Sequence, residues 1–572
     1  MNILLVYPGC LEARLHEEDA GVVPIGLYYI GALLKENGYR AEVLNGHGPD
    51  GSPDRIRQTL TAFQPDVIGF SIFNANRWGG IEMARMAKDL NPDVKTVFGG
   101  VAATFLWDHF LTHFDAIDFT VMGEGEYAFL ELVRCIERGD DVASVRGIGF
   151  RRGDDIVKTE PAMAIADLDQ LPNPARYFTY QHLALTRGCP GKCTFCGSPR
   201  FWGPKVRFHS ADYFVDQMEM LRDRGVRFFY VSDDTFTLRK DLVMEICQKI
   251  LERGLNITWA AISRADCVDG EILDRIRRAG CVQISYGVES GSEKMRRFLN
   301  KRLSADRIRT AFDLTAQYGI MARAYFIYGC PGETPETIGE TIALIREIRP
   351  LSAIFYILDV FPGTALYDEF QKRFHVSDDI WLSKIEDILW FEYDPDLDRE
   401  TILAFGKRLR TAFYESLPGF AASVELKDAP ELAPLHADFL SRLAMTFTHG
   451  DYAQNDAIPD KEKTGEILCR RALAYHPDHR AFWGLGMLMQ QRRQSDAAVR
   501  ILEQGLVHYP DSEDLNLCMA VSLMNLGRFE QALTYLLRFR DSRQMAYYII
   551  QCYRALGDAE NEAAFARRFQ GM

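Results

Sequence analysis

The sequence has no secretory signal at its start and no apolar run long enough to span a bilayer. It opens MNILLVYPGC, without the basic segment, apolar core and cleavage site of such a signal. It also has no basic stripe interleaved with aromatic residues, and its net charge is -14, which argues against a nucleic acid as the main partner. These absences predict a cytoplasmic protein with no membrane span, whose 572 residues form about three or four domains.

The cysteines show no rhythm that would indicate disulfide pairing. Of the 12 cysteines, most are scattered singly, as buried small hydrophobic residues are. In a reducing cytosol such thiols stay free. Three others lie close together in the stretch RGCPGKCTFCG, residues 187–197, at Cys189, Cys193 and Cys196.

These three thiols predict a metal centre with one open position. Structural zinc requires four closed ligands, and no fourth Cys or His follows at a matching interval, since His182 and His209 lie outside the loop. A [4Fe-4S] cluster accepts thiolates from such a tight loop, and three thiolates leave its fourth iron free for a small molecule.

Downstream of the loop, short β-rich runs alternate with amphipathic helical segments, which indicates a parallel sheet wrapped by helices. Helical segments such as 210–225 and 304–319 open with a Ser that can cap the helix and close with a Gly. Six βα units fit a partial (β/α)6 barrel. Their predicted strands are HLALTRG at 182–188, RFFYVSD at 227–233, ITWAAISR at 257–264, CVQISYGVE at 281–289, MARAYFIYG at 321–329 and SAIFYILDVF at 352–361.

The spacing C-x3-C-x2-C, with Phe195 directly before the last Cys, resembles the signature of the radical S-adenosylmethionine (SAM) enzymes. The resemblance implies that Cys189, Cys193 and Cys196 hold a [4Fe-4S] cluster and that SAM chelates its open iron. It further implies that SAM is cleaved to a 5'-deoxyadenosyl radical, with an electron donor such as flavodoxin or ferredoxin as partner.

In barrels of parallel strands the chemistry gathers at the carboxyl ends of the strands. The resemblance implies that such ends hold SAM, which gives the predicted ligands Asp233, Asp234, Arg264, Glu289 and Ser290. Ion pairing at a barrel rim is the alternative for each of them. The Gly-Gly-Glu that many family members carry after the second strand is absent here, so which of the two aspartates meets the SAM amine stays open.

Cys330 lies at the mouth of the fifth predicted strand. A thiol in that place is able to donate a hydrogen atom to a product radical, and simple packing is the alternative.

Residues 1–138 form a second alternating region, which indicates a doubly wound, Rossmann-like parallel sheet that binds ligands at the carboxyl ends of its strands. Small residues allow a large ligand to approach the backbone, and Ser71, Gly99 and Gly100 fall at two such ends.

This region resembles the cobalamin-binding domain that precedes some radical SAM barrels. The motifs appear in the expected order, as PxGL at 24–27, Ser71, the pair Gly99 and Gly100, GEGE at 123–126 and the linker LDQLPNPAR at 168–176. The resemblance implies cobalamin as a cofactor. The D-x-H-x-x-G loop that supplies a cobalt ligand in other cobalamin domains is absent, and His47 is not assigned as a ligand because it follows the second strand instead.

The C-terminal part becomes helical and self-similar. Ala498 and Ala532 align at a distance of thirty-four residues, and Pro477 and Pro510 at thirty-three. This period resembles tetratricopeptide repeats, which bind a peptide or protein partner on a concave surface. A helical cap over the barrel, or a dimerisation surface, is the alternative.

The predicted fold is therefore α/β, with a Rossmann-like sheet, a partial (β/α)6 barrel and all-α tetratricopeptide-like repeats. We place the cobalamin-binding-like domain at 1–140, a linker at 141–178, the barrel at 179–365, a connecting segment at 366–435 and the repeats at 436–572.

The resemblance favours a cobalamin-dependent C-methyltransferase, in which one SAM supplies a methyl group and a second supplies the radical. Radical cyclisation, oxidation or carbon-carbon coupling is the alternative within enzymes. A repeat-based interaction protein with a vestigial or sensory cluster is the alternative of another class.

Overall fold

The computed structural model describes residues 1–10, 22–47 and 51–569. The chain divides into two compact units. The first comprises Met1–Ala311, Arg323–Leu344 and Ala353–Leu409, and the second Phe312–Ala322, Ile345–Ser352 and Arg410–Met572.

The N-terminal sheet of the first unit has seven strands in the order β2-β1-β3-β4-β5-β6-β7. The first five pair in parallel, and the last two are antiparallel additions. The strands are β1 Asn2–Tyr7, β2 Arg40–Asn45, β3 Val67–Ser71, β4 Lys95–Gly99, β5 Phe119–Val121, β6 Ile148–Arg152 and β7 Asp155–Lys158.

Helices cover both faces of this sheet, as the alternating pattern predicted. They are α1 Ile25–Glu36, α2 Pro53–Phe63, α3 Arg77–Leu90, α4 Val101–Phe105, α5 Trp107–His113 and α6 Gly125–Arg138. The sheet contributes Leu5, Val67 and Val97 to a core that α6 completes with Phe129 and Leu132. Gly69 lets Phe129 approach closely, because a Cβ there would lie 2.8 Å from that ring.

The segment 141–178, which the sequence suggested as a linker, supplies β6 and β7 to this sheet. The two strands form a hairpin, in which Arg152 pairs with Asp155 across the turn at Gly153 and Asp154. Gly153 has φ +62°, a backbone conformation that glycine adopts without strain. The N-terminal sheet therefore includes strands that lie beyond residue 140.

A second sheet has six strands in the order β15-β14-β13-β12-β11-β8, and β8, β11, β12 and β13 pair in parallel. Strands β9 and β10 form a separate antiparallel pair. The strands are β8 His182–Leu183, β9 Thr186–Arg187, β10 Arg207–Phe208, β11 Phe228–Val231, β12 Thr258–Ser263, β13 Cys281–Glu289, β14 Met321–Tyr328 and β15 Ser352–Ile357.

The helices of this region begin and end close to the predicted positions. They are α7 Ser198–Trp202, α8 Ala211–Asp223, α9 Lys240–Glu252, α10 Gly270–Arg278, α11 Glu293–Phe298, α12 Ala305–Gln317, α13 Pro335–Ile348 and α14 Ala365–Phe374. Ser210 caps α8 by accepting a hydrogen bond from the Tyr213 backbone N–H. Gly225, which follows that helix, has φ +94°.

The predicted strand at 182–188 is interrupted in the structure. His182 and Leu183 join the second sheet, whereas Thr186 and Arg187 pair with β10 instead. The backbone N–H groups of Leu185 and Thr186 donate to the Asp233 carboxylate at 3.1 and 2.5 Å. The carboxylate thus replaces the ladder partners that a continuous strand would have used.

The remaining helices are α15 Arg399–Ala422, α16 Ala433–Thr448, α17 Asp451–Gln454, α18 Lys461–Tyr475, α19 His479–Gln491, α20 Ser495–His508, α21 Glu513–Asn525, α22 Phe529–Leu536, α23 Arg543–Leu556 and α24 Ala559–Phe569. Among the residues that the structure describes, no helix is both long and apolar enough to cross a membrane. The predicted α/β class with parallel sheets and a helical C-terminal region is confirmed.

Candidate functional site

The three clustered cysteines lie in a loop, residues 188–197, between β9 and α7. We call it the cysteine loop. Gly188 opens it with φ +105°, which favours glycine. The loop is held from outside, since Thr194 N–H donates to the Leu299 carbonyl at 3.0 Å and the Thr194 carbonyl accepts from Leu366 N–H at 2.8 Å.

Two of the three thiols of this loop lie close to Gly191. A Cβ at that position would lie 3.3 Å from the Cys189 sulfur and 3.9 Å from the Cys193 sulfur. The Gly191 N–H donates to the Cys189 sulfur at 3.4 Å. Burial raises the pKa of the Cys193 thiol, and that of Cys196 to about 12, so both thiols stay protonated unless a cation compensates for their charge.

This donor set fits a [4Fe-4S] cluster. Iron ligation requires thiolates, and the positive charge of the iron ions compensates for the thiolate charge in this buried position. Cys189, Cys193 and Cys196 are the residues that would hold the cluster.

Arg264 and Lys301 bring positive charge to the cysteine loop. Arg264 forms a two-pronged ion pair with Asp266 at 2.9 and 2.8 Å, and its Nη1 lies 3.5 Å from the Cβ position of Gly191. Lys301 Nζ lies 2.8 Å from Glu289 Oε1, and both side chains are buried. Both cations act to lower the pKa of Cys193 against the effect of its burial.

Glu289 ends β13 in a left-handed conformation with φ +66°. Such a conformation is uncommon for a residue with a side chain and marks functional positions more often than others. A Cβ at Gly287 would lie 2.4 Å from Glu289 Oε1 and 2.7 Å from Lys301 Nζ. Gly287 therefore makes room for this ion pair, which the sequence reasoning did not identify because Lys301 lies beyond a helix rather than at a strand end.

The two adjacent aspartates have different surroundings. The Asp233 carboxylate is buried and accepts hydrogen bonds from the Leu185 and Thr186 backbone and the Thr186 hydroxyl, and burial raises its pKa to about 7. Asp234 is exposed, accepts from Ser198 Oγ at 2.5 Å and influences the pKa of Cys196. Asp234 therefore lies beside the cysteine loop, whereas Asp233 fixes the backbone at Leu185 and Thr186, before the loop begins.

Ser290 and Cys330 are both buried. Ser290 Oγ is 3.1 Å from Thr341 Oγ1 and accepts from Ser292 N–H at 3.1 Å. Cys330 is fully buried at the end of β14, and burial raises the pKa of its thiol. The carboxylate of Glu333 accepts hydrogen bonds from the Gly329 and Cys330 backbone, and burial raises its pKa to about 7.

A cleft opens at the carboxyl ends of the N-terminal strands. The predicted residues Ser71, Gly99 and Gly100 line it together with Gly26 and Gly123. Gly100 has φ +90°, and a Cβ there would lie 2.9 Å from the backbone of Ile72.

Gly26 and Gly123 meet nothing within 4 Å in the direction of a Cβ, so a side chain at either position would enter open space. These small residues fit the approach of a large cofactor such as cobalamin to the backbone. Most of the loop that would carry a cobalt-binding histidine lies outside the described residues, and His47 stacks on the Tyr7 ring at 4.8 Å.

A buried ion-pair network connects this cleft to the cysteine loop. Arg187, two residues before Cys189, forms ion pairs with Glu124 at 2.6 Å and with Glu126, and all three side chains are at most 7% exposed. Arg207 Nη1 contacts the other oxygen of Glu124 at 2.6 Å. We call this set of four residues the glutamate clamp.

Aromatic rings complete the surroundings of the glutamate clamp. The Arg187 guanidinium lies 5.5 Å from the centre of the Tyr29 ring and 5.4 Å from that of Trp202. Both rings line the cleft. Burial lowers the pKa of Arg187, but the two glutamates outweigh that effect and raise it, so the guanidinium remains charged.

A second cavity lies against the strands of the second sheet, where its lining includes Tyr230, Ile262, Gln283, Arg323 and Tyr325. Three residues line both this cavity and the cleft, namely Pro24, Ile25 and Phe73. The two spaces are therefore neighbours that share a wall.

Comparison with known families assigns both domains. The pattern of the B12 binding domain matches residues 19–133, and that of the radical SAM superfamily matches residues 183–345. The chain is 28% identical over 380 residues to an uncharacterised methyltransferase of Pyrococcus horikoshii, which covers 64% of this chain and 83% of that protein. It is 28% identical over 402 residues to an anaerobic magnesium-protoporphyrin IX monomethyl ester cyclase of Rubrivivax gelatinosus, with 66% and 71% covered.

Solved structures share the fold. The methyltransferase TsrM from Kitasatospora setae, with cobalamin and a [4Fe-4S] cluster bound, has a TM-score of 0.58 at 16% identity, covering 83% of this chain and 99% of that one. The cobalamin-dependent enzyme OxsB, with aqua-cobalamin and SAM bound, has a TM-score of 0.59 at 15% identity, covering 98% and 84%.

The predicted cofactors, a [4Fe-4S] cluster, SAM and cobalamin, agree with these two domains and with the residues present. The individual SAM and cobalamin ligands stay predictions. The chain therefore carries a B12-binding domain followed by a radical SAM domain, and it is an enzyme.

Proposed function

We propose that this enzyme transfers a methyl group, by way of cobalamin, to a carbon atom of its substrate. The observation that carries the proposal is the wall shared by the two cavities. Pro24, Ile25 and Phe73 separate the cleft of the B12-binding domain from the cavity of the second sheet. A substrate in that cavity would lie next to the cleft that fits cobalamin.

The side chains of the cavity suit a radical reaction. When bound, the cluster with SAM supplies a carbon-centred radical, and cobalamin supplies the methyl carrier. The lining includes apolar side chains such as Ile262 and Tyr325, which favour an apolar part of the substrate at this position. Arg323 brings a guanidinium to the same lining, which favours a substrate with an acidic group.

Several similar proteins are named as methyltransferases, which supports methyl transfer as the reaction. The relative from Pyrococcus horikoshii is a methyltransferase, and so is the cytidylyl-2-hydroxyethylphosphonate enzyme of Streptomyces wedmorensis. The hopanoid C-3 methylase of Methylococcus capsulatus is a third such relative.

Radical cyclisation is the second candidate, because three relatives are anaerobic magnesium-protoporphyrin IX monomethyl ester cyclases. In that reaction the substrate would lose hydrogen and gain no methyl group. In either reaction we propose that a low-potential carrier such as flavodoxin or ferredoxin supplies the electron.

The deciding experiment uses SAM with a deuterated methyl group. Anaerobically purified holoenzyme, a reductant and a metabolite extract are incubated with this SAM, and the products are analysed by mass spectrometry. We expect a small molecule that gains the labelled methyl group with the wild-type enzyme and not with Cys193→Ala. Formation of 5'-deoxyadenosine with a product that loses hydrogen and carries no label would favour cyclisation instead.

The helical C-terminal part, we propose, is a set of tetratricopeptide-like repeats that binds a peptide or protein partner. Asp478 caps α19 and Ser512 caps α21, and each accepts from the backbone N–H three residues further on. These caps lie thirty-four residues apart. Ala498 on α20 and Ala532 on α22 are both fully buried. Gly505 supports the same packing, since a Cβ there would lie 2.9 Å from the Phe482 side chain.

A further inference from the structure

A group of three potential metal ligands lies away from the cysteine loop. His109 and His113 are one turn apart on α5, and Asp379 belongs to the short helical turn at Asp378–Leu382. One ligand atom from each side chain lies within 4.8 Å of the other two. We propose that these three residues form a binding site for a divalent transition metal ion, with zinc as the preferred ion.

The buried histidine is the first argument for this site. His109 is only 6% exposed, and among residues 1–10, 22–47 and 51–569 its Nε2 meets no hydrogen-bond partner. A buried polar atom without a partner is destabilising, and in a native protein it calls for an explanation such as a bound ion.

Among the described residues, the three side chains share one ion-pair contact and no direct hydrogen bond. His113 Nε2 lies 3.6 Å from Asp379 Oδ1, which exceeds a hydrogen-bond distance. The rings of His109 and His113 have their centres 4.8 Å apart and are tilted by 53°. Two imidazoles and a carboxylate thus face one another without a direct hydrogen bond.

The donor set and its spacing suit zinc. Zinc accepts imidazole nitrogen at about 2.0–2.1 Å and carboxylate oxygen at about 2.0–2.2 Å, which places tetrahedral ligand atoms roughly 3.3–3.5 Å apart. The ligand atoms must therefore approach one another by about 1.5 Å at most. His113 and Asp379, at 32% and 68% side-chain exposure, have the freedom to do so, and a water molecule completes four ligands.

The expected role of the ion is structural. Helix α5 belongs to the N-terminal domain, whereas Asp379 follows the second sheet in the chain. The same segment already contacts the N-terminal domain, because Arg77 Nη2 and Trp78 Nε1 donate to the Ser383 carbonyl at 3.1 and 2.9 Å. A metal ion would fix this segment at a second point.

The test is zinc K-edge absorption spectroscopy on the full-length holoenzyme with its cluster intact, after addition of one equivalent of Zn2+. We expect nitrogen and oxygen ligands at about 2.0 Å and no sulfur shell near 2.3 Å, which distinguishes this site from zinc in the cysteine loop. Competition titration should show that His113→Gln and Asp379→Asn each weaken zinc binding by more than roughly 10-fold, the loss that even a residue hydrogen-bonded to a metal ligand causes.

Both substituted positions are exposed, so these variants should fold, and His476→Gln at an exposed C-terminal position is the matched control. Zinc should raise the unfolding temperature of the wild type and of the control but not of the two variants. Equal zinc affinity in all four proteins, or a sulfur shell in the wild-type spectrum, would overturn the assignment. Neither result depends on SAM cleavage, so the proposed methyl transfer is tested separately.

Discussion

The glutamate clamp gives the sharpest prediction about stability. Arg187→Met removes the guanidinium from between Glu124 and Glu126, whose side chains are 7% and 5% exposed. Glu124 keeps Arg207 at 2.6 Å, but Glu126 loses its bond to Arg187 and becomes a buried charge without that cation. Breaking a buried pair in this way costs about 3–5 kcal/mol.

A second substitution, Glu126→Gln, separates the effect of the unpaired charge from the effect of lost packing. Glu126→Gln in the Arg187→Met background removes the charge, so we expect it to recover about 1–3 kcal/mol, the usual penalty of an unsatisfied buried polar group. In the wild-type background the same Glu126→Gln change should destabilise the protein, because it weakens a pair that is intact. Glu126→Gln should therefore change the stability in opposite directions in the two backgrounds, which shows that residues 126 and 187 interact through charge.

Urea unfolding followed by fluorescence measures both effects. If the free energy of unfolding falls by about 3 kcal/mol per molar urea, Arg187→Met should lower the urea midpoint of unfolding by roughly 1 M. SAM cleavage should fall as well, because Arg187 adjoins the cysteine loop. If Glu126→Gln destabilises both backgrounds equally, the clamp contributes packing only and the argument from buried charge is refuted.

Four further changes test other parts of the site. Cys193→Ala should abolish iron-sulfur absorbance and SAM cleavage, whereas the control Cys135→Ala should keep both. Lys301→Met leaves Glu289 without its cation and should weaken SAM binding, measured by equilibrium dialysis, by roughly 10–100-fold, while Lys301→Arg retains part of it. Gly26→Leu fills open space in the cleft and should lower the cobalamin content of the purified protein without changing its unfolding midpoint. Glu333, with its pKa raised to about 7, binds more protons folded than unfolded, so stability should fall by about 2 kcal/mol from about pH 5.5 to 7 and then level off. Buried Asp233, whose pKa is also raised to about 7, adds a similar slope, so urea midpoints across this range should lose about half of their slope in Glu333→Gln, and an unchanged slope would contradict the role of Glu333.

The sequence predicted the parts of the site that depend on local spacing. The cysteine loop follows from three thiols in eight residues, and Arg264 and Glu289 follow from their positions at the ends of parallel strands. The fold was predictable to the same degree, because hydrophobic runs and helix caps recur at regular intervals. The hairpin of β6 and β7 also had a signal, the alternating IGFRR and DIVK around a Gly-Asp turn.

The remaining features depend on contacts between distant residues. Arg187 and Glu126 are 61 positions apart, and no local pattern pairs them. The break after β8 arises because Asp233, 47 positions further along the chain, accepts the Thr186 N–H. The run LALTR is hydrophobic enough to predict a continuous strand, and only the tertiary position of one carboxylate interrupts it.

The long-range contacts of Arg77 can form only after a late part of the chain has been synthesised. Its side chain is 1% exposed and donates to the carbonyl of Ser383, which lies 306 positions later in the chain. At about 5–20 residues per second, that partner emerges roughly 15–60 s after Arg77 itself. Until then a guanidinium that the finished protein buries must stay hydrated. The N-terminal domain therefore completes its packing only after the whole radical SAM domain has been synthesised.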